Sequence, residues 1–435
     1  MKNKETAVER TKNILITLLV LCAIVLAGQT RLIPGFVPSD MAGNLFIALS
    51  GAGKVMPPGA SPDESQTFPP AAYPLFSAVT SKNSGRCGVK YDGRILSEIY
   101  GRFSGSLAEA LGSAGEPEQV SETEWKNALA ETGIFFDYLY EQRLSVLAGW
   151  LGADMSSGAG EHFARRICLA EHADGVSLYY IRSGDGEVNR CATALALSSF
   201  RTRTEESLSV SGGAYFAFEL GELFSLTDPY TLIPDFIPDV YELSSGNPLT
   251  SHVSDEKLLS LFELNSFIAS PYVEAGGAVV YVEPGAVLRV YPNGRAVFRR
   301  NTVSAASEAL SASEAVEAAR AFIAAGIGAY CGAAEPILSG LSYSVENKTY
   351  TLTFEYVVNG IPVSVAGAEA AAEIIITNGT LTSATVFFRE YRPGEKADIL
   401  PYKQVAAIVR EFGGGEPLLI YEDYGESVAV NRVIN

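Results

Sequence analysis

The chain has 435 residues, with 32 basic and 50 acidic side chains and a formal net charge of −18. Hydrophobic residues make up 47% and charged residues 19%, which excludes a disordered or fibrous chain and predicts two or three domains with substantial cores. The acidic balance argues against a nucleic-acid partner, because contacts with phosphates need clustered lysine and arginine. Three histidines and five cysteines leave little material for a metal site, so we expect neither a metal nor a cofactor.

The N-terminal segment is a candidate membrane span. Residues 13–30 contain no charged side chain, and a helix of roughly 17 to 25 apolar residues crosses a bilayer. Residues 1–12 carry four basic and two acidic side chains, a net charge of +2, which predicts a cytoplasmic tail. We favour an uncleaved single span; a cleaved secretory signal and a buried helix are the alternatives.

Small residues lie on one side of this predicted span. Cys22, Ala23 and Ala27 fall near one face of a helix, because Ala27 follows Ala23 by four residues and Cys22 by five. Small side chains let helices approach closely in lipid, so these three form a candidate contact face for a partner helix, unless they simply face lipid. Export would place residues 31–435, with a net charge of −20 after the tail's +2 is removed from −18, outside the cell. Anionic lipid and acidic wall polymer would repel that body.

Residues 31–75 are predicted to be a linker rich in proline and glycine. Eight prolines punctuate this stretch, and the folded body is expected to start near Leu75. Gly51-Ala52-Gly53-Lys54 resembles the end of a phosphate-binding loop, but Ala48 replaces the first glycine and Val55 replaces the metal-binding Ser or Thr. We therefore expect no nucleotide site there.

Residues 76–275 predict a first extracytoplasmic α+β domain. Apolar residues at every fourth position indicate a first helix, and Ser121 with Glu124 predicts a capping box at the start of a second. The connections are too short for repeated helical crossovers, which favours mainly antiparallel pairing. The predicted elements are helices over 93–111 and 121–132, a strand over 134–140, a short helix ending at Trp150, strands over 164–170, 176–182, 188–195 and 214–220, and a helix over 254–264.

Cys168 and Cys191 are the most plausible disulfide pair of the exported part. They are predicted on the first and third strands of a meander, which separates their Cα atoms by about 9.5 Å, two strand spacings. A disulfide tolerates Cα separations only up to about 7 Å. Buried free thiols are therefore favoured, and a less regular strand order would reverse that expectation.

Residues 276–435 predict a second α+β domain. Turns are expected at Asn293-Gly294, Asn347-Lys348, Asn359-Gly360 and Asn378-Gly379. The predicted elements are strands over 279–283, 287–291 and 296–299, a helix over about 304–326, three to five strands between 341 and 391, a helix opened by Pro401 with Val405, Val409 and Phe412 on its inner face, and strands over 418–421 and 427–433.

Two features of this second region stay open. Ser311 and Glu314 resemble a capping box, but we place them inside the long helix or at a break in it. The order of helix, sheet, helix and strand pair fits either a degenerate repeat whose second copy is cut short or one sheet with two covering helices.

Motifs of catalytic character have simpler structural interpretations. Ser254-Asp255-Glu256-Lys257 and Ser245-Gly246-Asn247 resemble motifs of penicillin-binding enzymes, but their order along the chain is reversed. A helix N-cap at Ser254 is the favoured interpretation. His162, His172 and His252 have no zinc-site spacing, and no Gly-x-Ser-x-Gly motif is present. The sequence therefore predicts a protein that is not an enzyme.

The layout resembles YycH-type proteins, which are membrane-anchored regulators of a sensor kinase in Gram-positive bacteria. The matching stretches are residues 107–114, Trp125 with 133–136, and 281–283 leading into 288–294. The closing part resembles YycI and PepSY-like modules through residues 354–363 and 374–379. The resemblance implies a non-enzymatic protein that modulates a histidine kinase, partly through its transmembrane helix and beside a YycI-like partner, and it carries over no catalytic residue.

Three functions follow as hypotheses. The first is a single-pass extracytoplasmic regulator of a two-component histidine kinase that acts by protein contact. The second is a PepSY-like module that binds envelope peptides or a protease, with an edge strand near Leu381–Phe388 as the acceptor. The third is a cell-wall enzyme, which would need a deep pocket with convergent polar groups.

Overall fold

The computed structural model describes residue 74 and residues 76–435, apart from 82–84, 174, 211, 237–238, 302–309, 426 and 435. The predictions for the tail, the span and residues 31–73 lie outside these described residues. No helix in the described ranges is long and apolar enough to cross a membrane. The described residues belong to one compact unit. Their fold is α+β with mainly antiparallel sheets, which confirms that part of the predicted fold class.

Seven helices lie in the described residues: α1 Gly93–Gly112, α2 Glu122–Ala130, α3 Leu144–Trp150, α4 Leu197–Ser207, α5 Asp255–Leu261, α6 Ala312–Ala325 and α7 Tyr402–Glu411. Local sequence explains their starts. Asp92 accepts a hydrogen bond from the Ile95 backbone N–H at 3.0 Å, and Ser254 accepts one from the Lys257 N–H at 3.4 Å. Ser254 is therefore the N-cap that the sequence predicts.

A seven-stranded antiparallel sheet, called the small sheet, forms the first part of the body. The side chains of α1 and α4 cover one of its faces, and those of α2 cover the other together with a separate two-stranded sheet. The small-sheet strands, in spatial order, are β2 Gly85–Lys90, β1 Phe76–Ser81, β4 Gly133–Arg143, β5 Phe163–His172, β6 Gly175–Arg182, β7 Val188–Ala192 and β3 Glu118–Val120; the separate pair is β8 Ala214–Phe216 with β9 Leu232–Pro234.

A thirteen-stranded sheet, called the large sheet, forms the rest. Its strands, in spatial order, are β11 Ser270–Val273, β12 Val279–Glu283, β13 Ala286–Val290, β14 Arg295–Arg300, β19 Thr380–Phe387, β18 Ala372–Thr377, β16 Thr349–Val358, β17 Ile361–Val365, β21 Pro417–Asp423, β22 Ser427–Ile434, β10 Tyr241–Gly246 and β20 Glu390–Lys396, while β15 Glu335–Ser344 pairs with β16. The β17–β21 pair is parallel.

The core of the large sheet lies under α6. Val316, Ala319 and Ile323 repeat on one helix face and are buried with residues of the central strands, such as Leu352 and Ile374. Strands β10 and β11 precede residue 276 but lie in the large sheet. The chain therefore leaves the small sheet and the β8–β9 pair and enters the large sheet at β10. A division into two folding domains at residue 276 stays a prediction.

The predicted start of the long helix is wrong. Helix α6 begins at Ala312 and not near residue 304, because Ser311 is its N-cap. The Ser311 hydroxyl accepts a hydrogen bond from the Glu314 N–H at 3.3 Å, and the Glu314 carboxylate accepts one from the Ser311 N–H at 2.7 Å. This complete capping box fixes the N-terminus of α6 at Ala312.

Helix α7 is correctly predicted, but one residue of its inner face is not. Val405 and Val409 are 2% and 0% exposed, whereas Phe412 is 76% exposed. Phe412 is the C-cap of the helix, four residues after the half-exposed Ile408, and therefore lies on the outer face.

The predicted edge strand near Leu381–Phe388 is also wrong. Strand β19 pairs with β14 on one side and β18 on the other, so neither of its edges is free. Six strands, β15 to β20, occupy the stretch for which three to five were predicted. Since the strands after α6 and after α7 share one sheet, the structure favours the single-sheet interpretation over a repeat.

Candidate functional sites: a buried charge cluster and an exposed apolar edge

A row of charged residues crosses a buried face of the small sheet. Lys90 pairs with Phe76, Phe76 pairs with Asp137, and Asp137 pairs with Arg166, on the adjacent strands β2, β1, β4 and β5. Lys90, Asp137 and Arg166 are only 1%, 2% and 7% exposed. Burial of a charge costs free energy unless the charge is paired, so the effect of this row on stability depends on the partners of each residue.

Asp137 lies at the centre of the paired part of this row. Its two carboxylate oxygens accept hydrogen bonds from Nε and Nη2 of Arg165 at 2.7 and 2.9 Å. One of them also accepts a bond from Nε of Arg166 at 3.2 Å. Irregular pairing on both sides of β5 breaks the alternation of faces, which lets the consecutive residues Arg165 and Arg166 reach the same carboxylate.

The two arginines also bind acids that are distant in the sequence. Arg165 donates two hydrogen bonds of 2.7 Å to the two oxygens of Glu416, which directly precedes β21. Arg166 lies 2.9 Å from Asp228. Burial by itself would raise the pKa of Asp137, but Arg165 and Arg166 outweigh it and hold that pKa at about 2. These ion pairs connect the small sheet to the C-terminal strands.

Lys90 is a buried cation without a hydrogen-bond acceptor among the described residues. Its Nζ lies 4.2 Å from the centre of the Phe76 ring, 5.2 Å from that of Tyr91 and 5.9 Å from that of Tyr402. Burial lowers the pKa of Lys90 to about 8, although Glu416 and Asp137 act in the opposite direction. Cation–π contact with the rings is worth about 0.5 to 2 kcal/mol, less than the several kcal/mol that desolvation of an ammonium costs.

Arg432 approaches the same tyrosine from β22. Its guanidinium lies 4.7 Å from the centre of the Tyr402 ring. None of its three side-chain nitrogens, all buried, donates a well-formed hydrogen bond to an acceptor in the described part of the chain. Tyr402 is 6% exposed. Lys90 and Arg432 thus both lie within 6 Å of the centre of one buried ring.

We call these residues the charge cluster: Lys90, Asp137, Arg165, Arg166, Asp228, Glu416 and Arg432. The cluster holds four cations and three anions, which leaves one positive charge in excess. Sequence reasoning missed it, since Arg165 and Glu416 are 251 residues apart. The available signal was the Arg165-Arg166 doublet inside a strand that is otherwise largely apolar.

A small pocket lies beside the charge cluster. Lys90 lines it together with Gly88, Asp92 and Pro234, and Phe236, which is 65% exposed, forms its outer wall. Its volume is about 30 Å³, close to the volume that one water molecule occupies. It is far smaller than the 300 to 1,000 Å³ that is common for the binding sites of drug-sized ligands.

An exposed apolar group lies at the end of the large sheet, on and beside β11. We call it the edge patch; its members, with exposed fractions, are Phe267 (98%), Ile268 (56%), Tyr272 (49%), Val273 (69%) and Val282 (41%). β11 is the outermost strand and pairs only with β12 among the described strands. Tyr272 and Val282 lie on one face of the sheet and Val273 lies on the other, so the patch extends around the edge. Exposed apolar side chains close together are typical of protein contact surfaces.

The backbone of β11 is poorly suited to the addition of another strand. The Glu274 N–H donates to the Ala278 carbonyl at 2.8 Å, so in this antiparallel register the even-numbered residues of β11 bond to β12. Pro271 and Val273 therefore direct their backbone groups towards the free edge. Proline has no N–H to donate, which protects an edge against strand pairing. Side chains of the edge patch remain available for contact.

The structure describes the two cysteines of the predicted disulfide pair but not the predicted transmembrane face. Cys22, Ala23 and Ala27 lie outside the described residues. Cys168 and Cys191 are buried and free, and burial raises the pKa of each thiol to about 12. They pair with the successive residues Tyr179 and Leu178 and thus lie on opposite faces of the small sheet.

The histidines of the small sheet bind tyrosines. His162 Nδ1 lies 2.7 Å from the Tyr180 hydroxyl, and His172 Nδ1 lies 3.0 Å from the Tyr179 hydroxyl. In the described ranges, no group of three or more His, Cys, Asp or Glu side chains could hold a metal ion. Comparisons with protein-family models, with curated proteins and with solved structures found no match.

Proposed function

We propose that the protein is a single-pass, membrane-anchored extracytoplasmic regulator that modulates a two-component histidine kinase by contact, without catalysis. The observation that carries this proposal is the edge patch, because exposed Phe267, Tyr272 and Val273 gain most when a partner covers them. The uncharged segment 13–30 and the resemblance to YycH-type proteins supply the membrane anchor and the class of partner.

The charge of the body constrains the partner's surface. Residues 31–435 carry a net charge of −20, so a partner with basic residues around an apolar centre is complementary. The kinase's extracytoplasmic domain is the partner that we assign to the edge patch. The transmembrane face Cys22, Ala23 and Ala27 is the second contact, with the kinase's membrane helices or a YycI-like partner.

Strand addition by an envelope peptide is the competing function. The strand chosen for it, β19, is paired on both sides, and Pro271 interrupts the free edge of β11. These observations favour contact through side chains over peptide addition.

The edge patch is tested with the full chain in membranes that also contain the kinase. A photo-crosslinking residue in place of Tyr272 should give an adduct with the kinase. Phe267→Ser combined with Val273→Ser should remove most of the adduct and change the kinase-dependent reporter, because both side chains are exposed and their loss leaves the core intact.

Val345→Ser is the matched control, since Val345 is 76% exposed but lies at the β15–β16 turn. It should leave both the adduct and the reporter unchanged. An unchanged reporter in the Phe267→Ser, Val273→Ser variant, at equal expression, would overturn the assignment of the edge patch. The transmembrane contact is tested separately with Ala23→Leu plus Ala27→Leu, which should change the reporter if that face packs against a partner helix.

A further inference from the structure

We propose that strand β15 is a dimerisation edge, at which a second copy of this chain adds its own β15 in antiparallel orientation. This inference is independent of the kinase contact. Strand β15 is ten residues long and pairs with residues 349–357 of β16. Strands β18 and β17 share the other side of β16, so β15 has no second partner among the described strands. The backbone groups of such a free edge are a template for another strand.

Only the second half of this edge is open. The Leu338 carbonyl accepts a hydrogen bond from the Gln142 side chain of β4 at 3.2 Å, and a bulge follows before Gly340. Residues 340–344 pair with β16 and make no backbone hydrogen bond to any other described strand. From Ser342 onwards the side chains of β15 are exposed. Residues 340–344 therefore have a free side.

The register decides which backbone groups the open edge offers. The Ala371 carbonyl accepts a hydrogen bond from β19 at 2.9 Å, so the next residue, Ala372, directs its backbone to β16, where it pairs with Phe354. Even-numbered residues of β16 therefore bond to β18, and odd-numbered residues bond to β15. The β15 partners of these odd-numbered residues are Gly340, Ser342 and Ser344. Leu341 and Tyr343, which lie between them, direct their N–H and C=O groups towards the open edge.

The open edge lacks the protection of the two end strands of the large sheet. Strand β11 has only four residues and contains Pro271, and β20 contains Pro393 together with four charged residues. Residues 337–345 contain neither a proline nor a charged side chain. Proline and charge on an edge strand are the usual defences against pairing between copies.

Charge selects a second copy as the partner of this edge. A basic or acidic peptide would find no counter-charge on residues 337–345, whereas the same stretch of a second copy is itself uncharged. The net charge of −18 opposes close approach of two copies in general. An uncharged edge is therefore the part of the surface at which two copies approach with the least repulsion.

One antiparallel register satisfies both copies. With Ser342 of each copy at the two-fold axis, Leu341 of one copy lies opposite Tyr343 of the other, and each such pair exchanges both of its backbone hydrogen bonds. The side chains agree with this register. Leu341 and Tyr343 lie on the core face of the sheet, opposite Leu352 and Tyr350, and the centres of the Tyr343 and Tyr350 rings are 4.4 Å apart. In the dimer, Leu341 of each copy covers the Tyr343 side chain of the other, which is 42% exposed in the single chain.

The test is oxidative crosslinking of the purified full chain in detergent, with the substitution Cys22→Ser so that only buried cysteines remain. Ser342→Cys places a thiol at the proposed two-fold axis, where the two Cα atoms lie about 4.5 Å apart, within the range of a disulfide. Ser344→Cys is the matched control, because this serine is also exposed but lies about 13 Å from its counterpart, four residues along the strand. Ser342→Cys should form a disulfide-linked dimer about tenfold faster than Ser344→Cys.

Two lysine substitutions in the Ser342→Cys chain test the edge directly. Tyr343→Lys places a charge on the open edge and should slow dimer formation about tenfold. Val345→Lys adds the same charge at the exposed turn, outside the pairing, and should leave the rate unchanged. An unchanged thermal unfolding midpoint shows that Tyr343→Lys is folded. Should this variant fail to fold, the comparison of Ser342→Cys with Ser344→Cys decides.

Three results would overturn the proposal: equal rates for Ser342→Cys and Ser344→Cys, an undiminished rate in a folded Tyr343→Lys variant, or a Ser342→Cys chain that forms no dimer. A Ser342→Cys chain that crosslinks in membranes only to a different polypeptide would also overturn it and would indicate peptide addition at β15. Failure of the kinase-contact experiments would not alter these readings, because the edge patch lies on and beside β11 and shares no residue with β15.

Discussion

Replacement of Asp137 by asparagine should reveal how much the charge cluster contributes to stability. The side chain is 2% exposed, and its pKa is about 2 in the folded protein against about 3.9 in an unfolded chain. That difference corresponds to about 2 to 3 kcal/mol at neutral pH. Asp137→Asn also leaves Arg165 and Arg166 with one buried counter-charge fewer, which adds to the cost. We expect a loss of about 3 kcal/mol, roughly a hundredfold in the folding equilibrium.

The assay is urea unfolding followed by tryptophan fluorescence, between pH 7 and pH 3. The folded pKa of Asp137 is depressed, so its contribution is present above about pH 4 and is lost as the pH falls towards 2. Asp137→Asn should lack this part of the acid sensitivity. Asp185→Asn is the control, because Asp185 pairs with Arg182 at the surface and its loss should leave the midpoint close to wild type. A stability and an acid profile of Asp137→Asn that match wild type would refute the reasoning.

Three further substitutions test a buried acid and two glycines. Burial raises the pKa of Glu355 to about 7, so the folded protein should lose stability as the pH rises from about 4.5 to 7. In urea unfolding, Glu355→Gln should remove this pH dependence and raise the stability at pH 8 by up to about 2 to 3 kcal/mol. If the pH dependence persists in the variant, another group causes it. Gly133→Ala should be destabilising, because the added Cβ would lie 2.5 Å from the Leu169 carbonyl oxygen. Gly105→Ala lies in an open position on α1 and should be stabilising by about 0.5 to 1 kcal/mol. Thermal unfolding midpoints that move in the same direction for both variants would contradict this reasoning.

Local elements were predictable where the signal was local. The Asn359-Gly360 and Asn378-Gly379 turns have positive φ at both residues, as a two-residue hairpin requires, and the sequence predicts both turns. The predicted start of α6 is wrong because the alanine-rich sequence before Ser311 favours a helix, whereas the capping box of Ser311 and Glu314 fixes the start at Ala312. The prediction for Phe412 is wrong because a spacing of three or four residues does not show where a helix ends.

Non-local pairing could not be predicted in the same way. The predicted free edge at Leu381–Phe388 is wrong because the order of elements along the chain does not show that β19 lies beside the much earlier strand β14. The charge cluster depends on the same kind of information, since Glu416 meets Arg165 only because β21 lies near the small sheet. Tyr91 fixes part of that approach, because its hydroxyl accepts a hydrogen bond from the Leu419 N–H at 3.0 Å.

The edge patch and the charge cluster are separated by most of the large sheet. Eight strand spacings lie between β11 and β21, about 38 Å measured along the sheet. The edge patch and the charge cluster share no residue, so each can be changed by substitution without altering the side chains of the other. At the charge cluster, the ion pairs of Arg165 hold the small sheet against Glu416, which directly precedes β21. The large sheet thus carries the proposed recognition surface at its exposed β11 edge and meets the small sheet through buried ion pairs near β21.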